Sequence, residues 1–183
     1  MSRSETVLLC LALVFFLCVS LSSAEELILV DKALEQIYPK ATDFESQTFA
    51  LTADQIKAVE EKAGVTFGRD HSANMQMYVA KENGQVLGFA FEDIIIGKWG
   101  PIHYLAGLDQ NGDVLEVMVL DYQEIRGRPV AKKRFVRQYK SKSIHDPVKL
   151  GKDIDGVTGA TISSRSMTDG VRKLLHVFHS IEK

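Results

Sequence analysis

Apolar residues recur along this chain with two periods, one typical of helices and one typical of strands. Residues 25–38 place apolar side chains three or four positions apart, and Pro39 ends that helical pattern. A second helix is predicted from Thr52 to Gly64, because Thr52 and Gln55 have the spacing of a capping box and Gly64 is a typical stop. The sequence therefore predicts that residues 25–70 form a helical segment.

Strict alternation replaces the helical period after residue 74. Residues 75–81 and 86–91 alternate on either side of Asn83-Gly84, which is a typical hairpin turn. Residues 102–108 and 114–120 repeat the arrangement around Asn111-Gly112. The acidic residues at this second turn lack the spacing and the final glutamate of an EF-hand, so we interpret the segment as a turn. Two β-hairpins are predicted.

Helical periods return in the last third of the chain. Residues 129–140 are predicted to form one helix with a basic outer face, and residues from Met167 to Ile181 form a longer apolar stripe. Helices, then paired strands, then helices predict an α+β fold. We expect a single domain at 71–183, with an antiparallel sheet built from hairpins and packed against flanking helices.

The first 24 residues have the pattern of a secretory signal peptide. Arg3 precedes an apolar run from Val7 to Leu21, and Ser22-Ser23-Ala24 supplies small residues for cleavage. The run is shorter than the ~20 residues that a membrane-spanning helix needs. The alternative is an uncleaved membrane anchor. We expect export to the periplasm or to the extracytoplasmic face of the membrane.

Cysteine content and charge narrow the classes of function. Both cysteines, Cys10 and Cys18, lie in the predicted signal peptide, so the mature chain would have no thiolates for an iron–sulfur cluster or a c-type haem. The formal net charge of −2 argues against a nucleic-acid partner. Residues 126–142 contain eight basic residues and no acidic ones. This run is either a solvated helix face or a docking patch.

The stretch most typical of a binding site is Asp153-Ile-Asp-Gly-Val-Thr-Gly-Ala-Thr-Ile-Ser-Ser164. Two glycines separate several hydroxyl side chains, and the predicted last helix follows directly. Free amide groups and partial positive charge at a helix N-terminus can bind a phosphate. Alternatively, Ser163 or Ser164 caps the helix and the glycines only make the turn.

The segment Asp155-Gly-Val-Thr-Gly-Ala-Thr161 resembles the flavinylation motif of the periplasmic FMN-binding domain family. That family includes components of sodium-translocating NADH:quinone oxidoreductases and of Rnf electron-transport complexes. The resemblance implies that Thr161 carries FMN through a phosphoester bond, installed by a magnesium-dependent flavin transferase from FAD. It also implies that Asp155 is the motif aspartate and that Thr158 opens the core. The cofactor-binding loop would comprise these residues with Gly156, Gly159, Ala160, Ser163 and Ser164.

A second segment, Asp121-Tyr-Gln-Glu-Ile-Arg-Gly127, follows the fourth predicted strand. It resembles the family segment that holds a glutamate and a glycine at the edge facing the flavin, which implies cofactor contacts for Glu124 and Gly127. The chain has Glu-Ile-Arg-Gly where the Rnf-type members have Glu-Thr-Pro-Gly, so a shared partner is not implied. Without the resemblance, the segment is equally typical of a surface loop with an exposed ion pair.

The aromatic residues Trp99 and Tyr104 lie near a predicted strand start, where they can stack on a flavin or pack in the core. We expect packing, with Tyr104 as the nearest flavin neighbour. His176 and His179 have no partner at metal-ligand spacing, so no metal site is predicted. No nucleophile–base set is evident either, and no catalytic residue is predicted.

These observations predict an exported flavoprotein that relays electrons between membrane or periplasmic redox partners, with FMN as its covalently attached cofactor. We expect an electron-transfer protein or a component of a redox complex rather than a stand-alone enzyme. One alternative is a non-redox extracytoplasmic FMN-binding or sensory module. Another is a small flavin-using reductase, which would need a substrate pocket that the sequence does not identify.

Overall fold

A computed structural model of the protein describes residues 25–67, 74–122 and 128–181. Its centre is a six-stranded antiparallel sheet with strand order β1-β6-β5-β4-β3-β2. The strands are β1 (Glu25–Glu26), β2 (Asp43–Ala50), β3 (Asn74–Glu82), β4 (Gln85–Ile96), β5 (Pro101–Asp109) and β6 (Val114–Tyr122). The helices are α1 (Val30–Ile37), α2 (Ala53–Ala63), α3 (Lys133–Val136) and α4 (Thr161–Ile181). The predicted α+β class is confirmed.

Both predicted hairpins form. In the first, Asn83 and Gly84 have φ angles of 51° and 82°, the left-handed conformation that a tight two-residue turn requires. In the second, the Asp109 carboxylate accepts hydrogen bonds from the amides of Asn111 and Asp113, at 2.8 and 3.0 Å. That carboxylate is therefore used to close a turn, as Asx-type turns do.

Helices cover both faces of the sheet. On one face, α2 and α4 pack over a large core that includes Phe91, Tyr104 and Phe178. On the other, α1 packs over a smaller cluster around Leu34, Ala90 and Leu105. The predicted capping box of α2 is present, because Thr52 and Gln55 exchange hydrogen bonds and Gly64 ends the helix at φ 63°. Among the described residues, no helix is long and apolar enough to cross a membrane.

The prediction that residues 25–70 are purely helical is wrong. Glu25–Glu26 pairs with β6, and the amide of Leu27 donates to the carbonyl of Leu120 at 2.8 Å, so helix α1 begins only at Val30. Asp43–Ala50 is an edge strand that pairs with β3 along its whole length. Most of its side chains are exposed, so backbone pairing holds it in the sheet without the apolar alternation that sequence reading detects.

The single helix predicted over residues 129–140 is also wrong. The chain instead forms a 3₁₀ turn at Arg128–Ala131, the short α3, and a second 3₁₀ turn at Arg137–Tyr139. Lys132 has extended backbone angles between the first two elements, which interrupts the helical hydrogen bonds. Phe135 and Tyr139 are buried, so packing of these rings stabilises the irregular segment.

Candidate functional site

The Asp155–Ala160 loop enters α4, whose first residue is Thr161. The amide of Ala160 donates to the carbonyl of Val157 at 2.9 Å and closes a turn, and the Ser164 amide donates to the Ala160 carbonyl at 2.8 Å. Gly159 has φ 81°, a conformation that L side chains rarely adopt, so glycine is required for this turn. The loop therefore delivers Thr161 at the N-terminal end of a 21-residue helix, where the dipole is positive.

Two polar side chains hold the backbone of the Asp155–Ala160 loop in place. The Gln138 side chain accepts a hydrogen bond from the Asp155 amide at 2.8 Å and donates to the Asp155 carbonyl at 3.2 Å. The Ser164 hydroxyl accepts from the Val157 amide at 3.1 Å. Gln138 belongs to the irregular 128–139 segment, so this segment and the loop are one structural unit. Sequence reading gave no indication of Gln138, since a lone glutamine has no motif.

The predicted cofactor-binding residues of this loop divide into an exposed set and a buried set. The exposed set is Asp155, Gly156, Thr158, Gly159 and Thr161, and the buried set is Ala160, Ser163 and Ser164. Within the part of the chain that the structure describes, no hydrogen bond occupies the Thr161 hydroxyl. Arg165, one helical turn after Thr161, is exposed on the same side and can reach an anion bound there.

The β4–β5 turn lies against the start of α4. The amide of Lys98 donates to the Ser163 hydroxyl at 3.3 Å, which ties this turn to the first turn of the helix. Trp99 is 57% exposed in the turn, and the Lys98 ammonium lies 4.9 Å from the centre of its ring. Ile162 is also exposed, beside Thr161 in the sequence. Apolar surface is therefore available next to the threonine.

Tyr104, the predicted flavin neighbour, does not lie near Thr161. It is fully buried beneath the middle of α4, where a Cβ on Gly170 would stand 2.7 Å from its hydroxyl oxygen. Gly170 is nine residues, or roughly 13 Å, along the helix from Thr161. Burial and the neighbouring Asp93 carboxylate raise the pKa of Tyr104 well above its ordinary value. The aromatic residue that the structure brings to the start of α4 is Trp99, and not Tyr104.

Asp93 and Lys173 form a buried ion pair that sequence analysis missed. The Lys173 ammonium lies 2.8 Å from the Asp93 carboxylate, which also accepts a hydrogen bond from the Tyr104 hydroxyl at 2.9 Å. The Lys173 and Asp93 side chains are only 6% and 9% exposed. Asp93 lies on the same face of β4 as Phe91 and Ile95, so an acidic residue at an inward strand position was the available indication.

Three of the predictions from sequence lie outside the described residues. They are the signal peptide at residues 1–24 and the proposed cofactor contacts Glu124 and Gly127. Among the residues that the structure describes, no group of three or more His, Cys, Asp or Glu side chains could hold a metal. Burial lowers the pKa of His176, which keeps this histidine neutral at physiological pH.

Comparison with known proteins shows which protein family part of this chain resembles. Residues 97–176 match the family model described as "FMN-binding domain", a range that contains the Trp99 turn, the Asp155–Ala160 loop and most of α4. This match confirms the resemblance that the loop motif indicated.

Two of the similar curated proteins are G subunits of redox complexes. The chain is 24% identical over 161 residues to the G subunit of the Na⁺-translocating ferredoxin:NAD⁺ oxidoreductase complex of Acetobacterium woodii, covering 82% of this chain and 74% of that one. It is 28% identical over 187 residues to the G subunit of the ion-translocating oxidoreductase complex of Shewanella baltica, covering 93% and 87%.

The fold also resembles a solved structure. The crystal structure of the C subunit of the Na⁺-translocating NADH-quinone reductase from Parabacteroides distasonis matches with a TM-score of 0.52 and 16% identity. The match covers 83% of each chain. At this identity the comparison supports the shared α+β fold.

Proposed function

We propose that this protein is an exported flavoprotein electron carrier in which FMN is attached to Thr161 through a phosphoester bond. The observation that carries the proposal is an exposed threonine hydroxyl at the N-terminus of a long helix, directly after the Gly-Ala of a flavinylation motif. Thr158 is exposed too, but it opens the motif. Ser163 and Ser164 are buried and their hydroxyls already accept hydrogen bonds from backbone amides.

The charge at this site suits the product of attachment. A flavin transferase would join the Thr161 oxygen to the FMN phosphorus of FAD, with AMP leaving and the hydroxyl proton released. The resulting phosphodiester keeps one negative charge. The helix dipole favours an anion at this end, and Arg165 can donate charge-assisted hydrogen bonds to it. A tether of this kind retains the cofactor outside the cytoplasm whatever its binding affinity.

FMN supplies reversible electron transfer, and the protein supplies its surroundings. The similar G subunits belong to ion-translocating redox complexes, which supports redox partners for this chain. We propose that such a partner presents an acidic face. Lys132, Lys133 and Arg137 are exposed on the segment that also carries Gln138, and Gln138 holds the loop. A partner attracted to this segment would approach the flavin.

The test is to export the full chain from cells that also express a flavin transferase, and to measure its intact mass and absorption. The proposal predicts the mass of one FMN less one water, together with flavin bands that bleach on reduction and return with oxygen. A chain with the mass of unmodified protein and no flavin band would contradict it. A stable flavin adduct that no redox partner or chemical reductant can reduce would favour the non-redox sensory module.

A further inference from the structure

A cleft of about 410 Å³ opens between α2 and the last turns of α4. Six of its lining residues are Asp54, Gln55, Ala58, Lys62, Ile144 and His176. The volume lies in the range of small-molecule sites, and such sites combine apolar walls with a few polar groups. His176 lies roughly 22 Å along the axis of α4 from Thr161, at about 1.5 Å per residue, so this cleft is separate from the flavinylation motif.

The two helices that form the cleft are joined at both of its ends. At one end, the Gln55 side chain donates a hydrogen bond to the Ser180 carbonyl at 3.2 Å. At the other end, the Arg172 side chain donates to the Ala63 carbonyl at 2.7 Å. The end of α4 therefore runs antiparallel to α2, and the cleft between them is a preformed feature of the described structure.

The polar side chains at the Gln55 end of the cleft already have partners. The Ser180 hydroxyl donates to the Val177 carbonyl at 2.7 Å, and Nδ1 of His179 is 3.0 Å from the Leu175 carbonyl, to which it must donate. The side-chain oxygen of Gln55 accepts a hydrogen bond from the Thr52 amide at 2.9 Å. These groups hold the fold and leave little polar capacity for a ligand at this end.

Lys62 and His176, at the other end, differ in this respect. Among the described residues, no hydrogen bond or ion pair engages the Lys62 ammonium, and Nδ1 of His176 is buried without a hydrogen-bond partner. Burial lowers the pKa of His176, and repulsion from His179, Lys62 and Arg172 lowers it further. Asp54, the acidic lining residue, lies about 12 Å from Lys62 along α2 and does not offset this charge. The Lys62 end of the cleft therefore combines positive charge with an unmet polar atom.

We propose that this cleft binds a small organic carboxylate whose charged end lies between Lys62 and His176. The carboxylate accepts a charge-assisted hydrogen bond from the Lys62 ammonium and a second hydrogen bond from the His176 ring. The apolar body of the ligand lies along Ala58 and Ile144, where it is removed from water. A bound anion favours the charged form of a neighbouring imidazole, so binding is coupled to proton uptake by His176.

Calorimetric titration of the purified full chain with benzoate tests this site, with benzamide as the neutral isostere. Benzoate should bind saturably at one site, several-fold more tightly at pH 6 than at pH 8. Benzamide should bind about tenfold more weakly than benzoate, because it lacks the charge that Lys62 recognises. Absence of saturable benzoate binding, or equal affinities for the two compounds, would overturn the proposal.

Variants of the lining residues assign the two roles. Lys62→Gln should weaken benzoate binding about tenfold, as loss of a charge-assisted hydrogen bond does, whereas Lys57→Gln, a matched change at an exposed lysine of the same helix, should not. His176→Gln keeps a hydrogen-bond donor but cannot gain a proton, so binding should persist without its dependence on pH. Ala58→Trp, which fills the cleft, should abolish binding. Equal affinities of the two lysine variants, or a pH dependence that survives in His176→Gln, would contradict the assignment.

Discussion

The start and the middle of α4 differ in what their polar side chains contact. At the start, Thr161 and Arg165 face solvent, and the loop before them is held through backbone groups by Gln138 and Ser164. In the middle, Thr168 and Lys173 are buried. Thr168 shares a hydrogen bond with the Tyr139 hydroxyl at 2.9 Å, and Lys173 pairs with Asp93 at 2.8 Å.

The exposed side chains at the start of α4 are therefore available for the proposed attachment of FMN, whereas the buried side chains in its middle stabilise the fold. An exposed hydroxyl can meet a transferase without any unfolding, and its removal leaves no buried group unpaired. A buried charge is stabilised by the opposite charge beside it. Removal of one residue of a buried ion pair therefore leaves the other charge buried and uncompensated. Substitutions in the middle of α4 should therefore change the free energy of unfolding, and substitutions at its start should change the proposed attachment of FMN.

The largest expected effect is on stability when Lys173 is replaced by Met. Among the described residues, the change leaves the buried Asp93 carboxylate with the Tyr104 hydroxyl as its remaining side-chain partner. This loss should reduce the free energy of unfolding by about 3–5 kcal/mol. Thr161→Ala should change it by less than about 0.5 kcal/mol, as exposed substitutions usually do. Urea unfolding of both variants measures the difference.

The double variant Lys173→Met with Asp93→Asn is the control, because it removes both charges. It should recover most of the lost stability. If it is as unstable as Lys173→Met alone, the loss comes from packing and not from an uncompensated charge.

Glycine substitutions sharpen the same contrast. A Cβ on Gly170 would meet Tyr104 and Ile95 at 2.7 and 2.9 Å, and Tyr104 is fully buried and cannot move aside. Gly170→Ala should therefore cost about 1–3 kcal/mol through overpacking, offset in part by helix propensity. At Gly159 there is open space, and the left-handed φ alone should cost about 1 kcal/mol. Thermal unfolding compares the two, and flavin loading should fall only in Gly159→Ala, whose loop is altered.

Replacement of Asp153 should have an intermediate effect on the free energy of unfolding, and that effect should depend on pH. Burial opposes its ionisation, but the amide of Lys149 at 2.7 Å and the ammonium of Lys142 at 2.9 Å outweigh it and lower the pKa of Asp153. A lowered carboxyl pKa stabilises the fold above the unfolded-state value near 4 and ceases to do so as pH falls through the folded-state value. Asp153→Asn should be about 1–3 kcal/mol less stable than wild type at pH 7. The gap should narrow at pH 3, and a gap independent of pH would exclude the charge as its cause.

How far the sequence predicted these features depended on whether each signal was local. Three features depend on residues that are close together in the sequence, and each was predicted correctly. They are the hairpin turn at Asn83-Gly84, the capping box at Thr52 and the loop before α4. The edge strand Asp43–Ala50 was not, because its pairing with β3 is a tertiary contact between mostly exposed residues. The Asp93–Lys173 pair joins residues 80 positions apart on a strand and a helix, so no spacing could reveal it.

The smallest effect on stability, and the clearest dependence on salt, is expected for the exposed basic residues of the 128–139 segment. Replacement of Lys132, Lys133 and Arg137 by Gln should leave unfolding unchanged but slow the oxidation of reduced protein by ferricyanide, an anionic oxidant, a few-fold at low salt. The difference should shrink at 0.15 M salt, where the Debye length is about 8 Å. A neutral quinone is the matched control. Equal slowing with both oxidants would show that charge steering is not the cause, and the basic residues would then be interpreted as an ordinary solvated surface.

The attachment of FMN to Thr161 is tested most directly by intact mass and in-gel flavin fluorescence of hydroxyl variants exported with a flavin transferase. Wild type and Thr158→Ala should both carry the FMN mass and fluoresce after denaturation, with Thr158→Ala loaded less completely. Thr161→Ala should fold, yet lack both the mass and the fluorescence, and Thr161→Ser should be modified in part. Flavin fluorescence from denatured Thr161→Ala would place the cofactor on another residue and contradict the assignment.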